Sequence, residues 1–349
     1  MKKKLLSLAV IALCSSLAHA DSVTVYGLVD AGVTRYSNAA STGGGSSPTT
    51  RMDTGVANGN RLGFKGEEDL GGNTKAFFTL ETGFNVDTGA LGQGGLLFGR
   101  QAFVGLSNAW GSLSLGRQYD FMVNQNAYST GGTTVAGLMA FGLHADGAGA
   151  GVLNDRIYAG DRVNNSIKYA SNPISGITVG AMYGLGEVAG NNSAARSYSA
   201  RVGYDQGPVS AGLAVTDIND AASVFSTRIY GLGGSYQLGS IRPFVSATQV
   251  KNDAVVPSKA ENYEIGATWS VRPAVDLSAG YQRQNRNSID SANQLTLVAD
   301  YKFSKRTDVY AAAAFLRDKG RHAQTTAGLG LASSDGSQSA LRLGLRHRF

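Results

Sequence analysis

Five basic residues share a pattern that could act on passing ions. Arg61 and Lys65, Arg100, and Arg162 and Lys168 sit in short runs where apolar and polar residues alternate, on the parity opposite the apolar one. Arg201 and the acids Asp30, Glu81, Asp276 and Asp300 obey the same rule. Fixed charges along the inside of a water-filled wall bias which ions pass. Most polar groups on such a face are simply what a wet interior needs. Arg61 and Arg100 stand out, because each lies about eight residues from a short turn and hence at similar height along its strand. Arg162 begins the strand after a long connection and could approach them. That connection, residues 118–161, interrupts the alternation with Gly, Ala, Thr and Asn. Its acids are Asp120, Asp146, Asp155 and Asp161, partly offset by Arg156. A connection this long in a compact domain is usually functional or disordered, and its apolar patch from Val135 to Leu143 argues for order.

Other chemistry is poorly represented. Beyond the first twenty residues the histidines are His144, His322 and His347, and no Ser–His or Asp–His set accompanies them. Gly184-Leu185-Gly186 with Gly190 has no helix after it and reads as a loop between strands, not a phosphate cradle. The one cysteine, Cys14, lies in the leader, so no thiolate metal site is expected. The chain is not expected to be an enzyme or to carry a cofactor.

The elements that must hold these side chains are strands. Val23, Val25, Val29, Ala31 and Val33 alternate with Thr24, Tyr26, Asp30 and Thr34; Val209, Ala211, Leu213 and Val215 alternate with Ser210, Gly212 and Thr216. About sixteen such runs of roughly ten residues follow one another, the length a tilted membrane strand requires. Short turns, such as Asp69-Leu70-Gly71-Gly72 and Asp205-Gln206-Gly207, alternate with longer connections near 37–57, 86–96, 118–161, 189–195, 218–225, 252–260, 286–291 and 318–338. Tyr198 and Tyr204, Tyr230 and Tyr236, and Tyr263 and Trp269 are pairs on the apolar parity, roughly 20 Å apart along a strand. Aromatic girdles at two water–lipid boundaries explain that spacing. These signals predict an all-β fold, a transmembrane antiparallel β-barrel of about sixteen strands, closed because hydrocarbon cannot satisfy an open sheet edge. The 118–161 loop is expected to fold inward as a constriction. Phe98 to Leu106 and Ile241 to Val250 are apolar on both parities, so alternation assigns them no face. Arg117 falls on the apolar parity, which points it at lipid unless a bulge intervenes.

Residues 1–20 read as a cleaved signal peptide: Lys2, Lys3 and Lys4, an apolar run from Leu5 to Leu13, and the small-x-small site Ala18-His19-Ala20. Removing those lysines takes the net charge from +6 to about +3, too even for nucleic-acid binding. Nothing divides residues 21–349, which are expected to form one barrel domain.

Several stretches are similar to the Gram-negative general porins of the β-proteobacterial type. They include Val23-Thr24-Val25-Tyr26-Gly27, Arg61-Leu62-Gly63-Phe64-Lys65-Gly66-Glu67-Glu68-Asp69-Leu70-Gly71, Gly99-Arg100-Gln101-Ala102-Phe103-Val104-Gly105-Leu106, Arg162-Val163-Asn164-Asn165-Ser166-Ile167-Lys168-Tyr169 and the terminal Gly344-Leu345-Arg346-His347-Arg348-Phe349. They occur in the family's order from end to end. The resemblance implies a homotrimeric outer-membrane channel whose third loop enters the pore, facing basic residues on the wall. It makes Arg61, Arg100, Arg162, Lys65 and Lys168 candidates for that wall, and Phe349 the outer-membrane sorting signal read by the barrel assembly machinery. Outer-membrane lipid and lipopolysaccharide would surround it, and its cargo would be small hydrophilic solutes and ions. The expected activity is passive diffusion with a weak anion preference, because the loop is poor in acids; the alternative is a substrate-selective outer-membrane channel.

Overall fold

The computed structural model describes residues 23–41, 45–130, 162–253, 258–286, 290–319, 325–326, 333 and 336–349. The leader and the remainder of the 118–161 connection lie outside the described residues, including Asp146, Asp155, Asp161 and the Val135–Leu143 patch. Seventeen strand segments run β1 (Thr24–Ala40), β2 (Ser46–Thr54), β3 (Arg61–Asp69), β4 (Lys75–Gly83), β5 (Gln101–Asn108), β6 (Gly111–Tyr119), β7 (Arg162–Ala170), β8 (Ile177–Gly184), β9 (Ser197–Gln206), β10 (Val209–Asn219), β11 (Ser226–Tyr236), β12 (Ile241–Asn252), β13 (Ser258–Arg272), β14 (Val275–Arg286), β15 (Asp290–Lys302), β16 (Thr307–Asp318) and β17 (Ser337–Arg348). All neighbours pair antiparallel, and β1 closes on β17 with Asp30 opposite Arg346 and Thr34 opposite Arg342. The other edge of β1 pairs with β3 over its first half and β2 over its second, so β2 and β3 share one place in a closed barrel of 16 strands.

The barrel inverts the burial of a soluble protein. Outward residues such as Leu343, Ile265 and Leu232 are exposed, at 71%, 61% and 59%, while inward Gln294 and Thr296 are buried. That is the arrangement a lipid-facing band and a polar lumen require. The paired aromatics Tyr198 and Tyr204, Tyr230 and Tyr236, and Tyr263 and Trp269 are all on the exposed outer face. At the short-turn end, Gly71 and Gly72 take positive φ (81° and 57°), which permits the tight reversal into β4.

Several local readings are corrected or resolved. The expected 37–57 connection is largely sheet, since β1 runs to Ala40 and β2 begins at Ser46. Its sequence is polar on both parities because that part of the hairpin has no apolar surface to face. The true interruption is residues 55–60, which leave the sheet and dip inward. There Ala57 N donates to Asp30 Oδ2 at 2.7 Å, and Asp30 N donates to Asn60 Oδ1 at 2.6 Å. A register shift lies between Gly116 and Gln118, and Arg117 donates to Gly99 O at 2.9 Å and Asn164 Oδ1 at 2.5 Å. In β5, Val104 and Leu106 are exposed outward, while Phe103 meets Phe77 edge-on, with Phe77 packed over Gly105. In β12, Val245 is exposed on the outer face, whereas Phe244 and Val250 are buried inward. Both puzzling strands therefore carry apolar residues on two faces because the lumen side is also packed.

Candidate functional site

Arg61, Arg100 and Arg162 converge, and Tyr119 at the end of β6 is the group between them. Arg100 Nη2 donates to Tyr119 Oη at 2.8 Å, and Arg162 Nη2 donates to the same oxygen at 2.5 Å. The Arg162 guanidinium also stands 4.6 Å from the Tyr119 ring centroid, a cation–π distance. Arg100 Nε donates to Glu81 Oε1 at 2.7 Å, and Tyr26 Oη donates to Glu81 Oε2 at 2.9 Å. Arg61 Nε donates to Gly59 O at 2.9 Å, within electrostatic reach of Arg100, Glu81 and Tyr119. A side chain at Gly59 would crowd Arg100, with its Cβ 2.9 Å from Nη1. Glu81 thus binds Arg100 directly and is a charge neighbour of Arg61.

The other sequence candidates separate. Lys168 is one step away, donating to Tyr119 O at 2.7 Å with its ammonium 4.5 Å from the Phe121 ring centroid. Lys65 lies apart, toward the short-turn end, with its ammonium 5.6 Å from the Tyr26 ring centroid. Asp120 is fully buried: it accepts from Met122 N at 3.1 Å, capping the 3-10 helix Phe121–Tyr128, and from Thr216 Oγ1 at 3.0 Å. Its carboxylate therefore holds the start of the loop to the far wall and does not face open water.

That start crosses the lumen. Phe121 N donates to Ser199 Oγ at 3.0 Å, Arg242 Nη2 to Ala127 O at 3.1 Å, and Thr130 N to Glu264 Oε1 at 2.7 Å. Room for the segment comes from glycines on the inner face of β8, β10, β11 and β14. A Cβ at Gly231 would lie 2.7 Å from Met122 Cε, one at Gly233 2.6 Å from the Tyr128 side chain, and one at Gly180 would meet the Phe121 ring. Met122, Gln125 and Tyr128 are buried as a result. The apolar side of this seat comes from Met182, Ala214, Ile229 and Val250.

A second inward cluster, on β1, β16 and β17, neutralises itself. Arg342 is fully buried, 3.7 Å from Asp30 and 4.0 Å from Asp53, and donates to Tyr310 Oη at 2.8 Å. Arg346 pairs with Asp308 at 3.1 Å, and Arg348 reaches the same carboxylate at 3.0 Å. Asp30 faces the lumen by parity, but Arg342 balances it, so it does not offset the Arg61–Arg100–Arg162 wall. At the seam, Gly27 N donates to Phe349 O at 3.0 Å and Phe349 N to Gly27 O at 3.1 Å.

Sequence reasoning missed Tyr119, Tyr26 and Tyr310 as partners of charge, because parity gives a face and not a cross-strand neighbour. The inward glycines were visible: glycine recurring at lumen parity on adjacent strands signals another segment lying close against the wall.

A closed barrel with an apolar exterior, a polar lumen and a charged inner wall defines a transmembrane β-barrel channel. Residues 7–321 match the Gram-negative porin family, and the chain belongs to it. It is 32% identical to outer membrane porin protein 32 of Delftia acidovorans and 28% identical to an outer membrane porin protein of Bordetella pertussis, in each case over 100% of both chains. Among solved structures, an anion-selective porin from Comamonas acidovorans superposes with a TM-score of 0.79 and 29% identity, covering 94% of this chain and 99% of that one. The protein is a multi-pass outer-membrane diffusion channel, not an enzyme.

Proposed function

We propose that the channel passes small hydrophilic solutes and ions with a weak preference for anions. The observation that carries this is the gathering of Arg61, Arg100 and Arg162 around Tyr119 with Glu81 as the cluster's one described carboxylate. These residues form the constriction wall, with Lys168 extending it and Lys65 placed toward the periplasmic side. The start of the 118–161 loop, the helix Phe121–Tyr128, lies against the opposite wall, and Asp146, Asp155 and Asp161, outside the described residues, are the acids that would moderate the field. In a narrow passage between low-dielectric walls, a few fixed charges outweigh a nearly neutral surface. The similar Comamonas protein, described as anion-selective, supports the sign.

The assembled form is a homotrimer in outer-membrane lipid and lipopolysaccharide, inserted by the barrel assembly machinery through the terminal Phe349. The subunit contact is assigned to β3–β5, where the inner face is packed by Phe77 and Phe103 as well as the outer face being apolar at Phe64, Val104 and Leu106. Among the described residues, Tyr36, Tyr128 and Tyr310 are buried and hydrogen-bonded to the wall, which argues against a substrate-selective track of aromatics. Single-channel recording of the purified protein tests the reading: conductance should rise linearly with salt and close in three equal steps. A saturating conductance would argue for a substrate-selective channel, and single-step closure against the trimer.

A further inference from the structure

The inward dip at residues 55–60 holds a reactive dipeptide. Asn58-Gly59 is the one Asn-Gly pair in the chain. An asparagine loses its amide when the next main-chain nitrogen attacks its side-chain carbon. Most residues at the following position obstruct that ring closure with their Cβ, whereas glycine has none and bends freely. Within a strand or helix that nitrogen is also engaged in a hydrogen bond. Asn58 and Gly59 lie outside both, between β2 and β3, and are half-buried.

The hydrogen bonds around the pair favour closure. The chain before it is anchored: Ala57 N donates to Asp30 Oδ2 at 2.7 Å, and the Asn58 main-chain N–H donates to the same carboxylate. The chain after it is anchored through Gly59 O, which accepts from Arg61 Nε at 2.9 Å. Between these anchors, the Gly59 N–H has no acceptor among the described residues. The Asn58 side chain is held at its oxygen, where Arg346 Nη1 donates to Oδ1. Its Nδ2, the nitrogen that would leave, has no partner among the described residues. A guanidinium on Oδ1 draws electrons from the amide carbon and stabilises the negative charge that attack places on that oxygen. Arg100 stands close by, its Nη1 2.9 Å from where a Gly59 Cβ would be, and its charge favours loss of the Gly59 amide proton.

We propose that Asn58 is a self-modification site, which deamidates through a cyclic imide and leaves a carboxylate beside the arginine wall. Gly59 N loses its proton to a solvent base and attacks Asn58 Cγ. The N–Cγ bond forms, the Cγ–Nδ2 bond breaks, and Nδ2 leaves as ammonia. Water then adds to one of the two ring carbonyl carbons and breaks its bond to Gly59 N, giving isoaspartate or aspartate. Nothing is oxidised or reduced, and water is the only co-reactant. Either product puts a negative charge next to Gly59, where Arg61 and Arg100 approach the chain. Isoaspartate also inserts a carbon into the main chain and so moves the Gly59 oxygen that anchors Arg61. With the new carboxylate counted, the cluster of Arg61, Arg100, Arg162 and Glu81 falls from two net positive charges to one, and anion preference declines as the protein ages. That consequence rests on these residues lining the ion path; the chemistry does not.

The test incubates the purified mature protein in non-ionic detergent and heavy-oxygen water at mildly alkaline pH. Peptide mass spectrometry follows each asparagine, and zero-current potentials are read from the same samples in planar bilayers. The peptide carrying Asn58 should take up a solvent oxygen well before those carrying Asn165 and Asn192, which precede serine and are more exposed. The anion-to-cation ratio should drift toward cations in step, by about five-fold at full conversion, as one unit charge about 8 Å from the ion implies. Asn58→Asp should start near that end point. Asn58→Gln, whose ring would be larger and closes slowly, should keep the fresh wild-type ratio throughout. An Asn58 still intact at the end of the incubation, converted later than Asn165 or Asn192, or converted only after denaturation overturns the proposal. So does full conversion with an unchanged ratio; Arg100→Ala recorded beside it shows whether the reading of the wall fails as well.

Discussion

Neutralising Glu81 should raise the anion preference of the channel. Its carboxylate is bound by Arg100 at 2.7 Å and by Tyr26 at 2.9 Å, and it is the acid described beside Arg61, Arg100 and Arg162. Glu81→Gln keeps an acceptor oxygen in place but takes the described cluster from two net positive charges to three. A unit charge about 8 Å from an ion, within one Debye length at physiological salt, contributes about 0.5 kcal/mol in water. The change favours an anion and disfavours a cation equally, so the two diverge by about 1 kcal/mol, or roughly five-fold in permeability ratio. Breaking a buried ion pair costs up to about 3–5 kcal/mol; the retained amide oxygen and the wet lumen should keep the loss below that. The assay is the zero-current potential across a planar bilayer in a salt gradient. Tyr26→Phe is the control, because it removes a hydrogen bond to Glu81 without changing charge, and its ratio should stay within about two-fold of wild type. An unchanged ratio in Glu81→Gln, or a move toward cations, would refute the placement of this cluster beside the ion path.

Three further outcomes are expected. Gly231→Leu should drive the helix Phe121–Tyr128 off the wall, because a Cβ there lies 2.7 Å from Met122 Cε. Losing the burial of Met122 alone, about 1.5–3 kcal/mol, should speed proteolysis within the loop ten-fold or more without melting the barrel; unchanged cleavage would contradict the seat. Phe349→Ala should lower the yield of assembled trimer while leaving the conductance of assembled channels unchanged, since the main-chain bonds to Gly27 remain possible; normal yield in cells would contradict the sorting role. In the connection between β10 and β11, Asp220 accepts from the Phe225 and Val224 amides at 3.0 and 2.7 Å, and these bonds hold its carboxyl below the usual carboxylate range. Its stabilising effect is therefore complete above the ordinary pKa near 4 and is lost as pH falls through the depressed value. Hydrogen exchange at Val224 and Phe225 should accelerate only under strongly acidic conditions, whereas Asp220→Ala should exchange fast at neutral pH too; equal protection in both proteins would refute the role.

Much of this architecture was legible because membrane strands obey one rule. Period-two alternation separated Val209 and Leu213 outward from Gly212 and Thr216 inward, as β10 has them. Alternation left the facing of Arg117 open; the register shift beside it puts its extra residue on β7, so Arg117 keeps the outward parity between the inward Ser114 and Gln118 and is held by Gly99 O and Asn164 Oδ1. The lumen was less legible, because alternation assigns a face and is silent about what lies across the pore. Glu81 and Arg100 are adjacent through the pairing of β4 with the start of β5, while Tyr119 reaches both Arg100 and Arg162 from the end of β6. The dip at residues 55–60 looked like the tail of a loop, since Gly55, Asn58, Gly59 and Asn60 are common turn formers. Its clue was Asn60, whose side chain ties Asp30 where a regular strand would have offered only main chain. Asp120 read as a field-forming acid, but an acid just before a helix start is also a natural N-cap, and that use prevailed.

The central claim is that Arg61, Arg100 and Arg162 line the narrowest water-filled passage. It is tested most directly by the zero-current potential of the purified wild-type protein in a planar bilayer under a salt gradient, measured beside Arg61→Ala and Arg100→Ala. The expected result is a potential of anion-preferring sign for the wild type and a shift toward cations in each variant. A cation-preferring wild type, or two variants with the wild-type ratio, would contradict it.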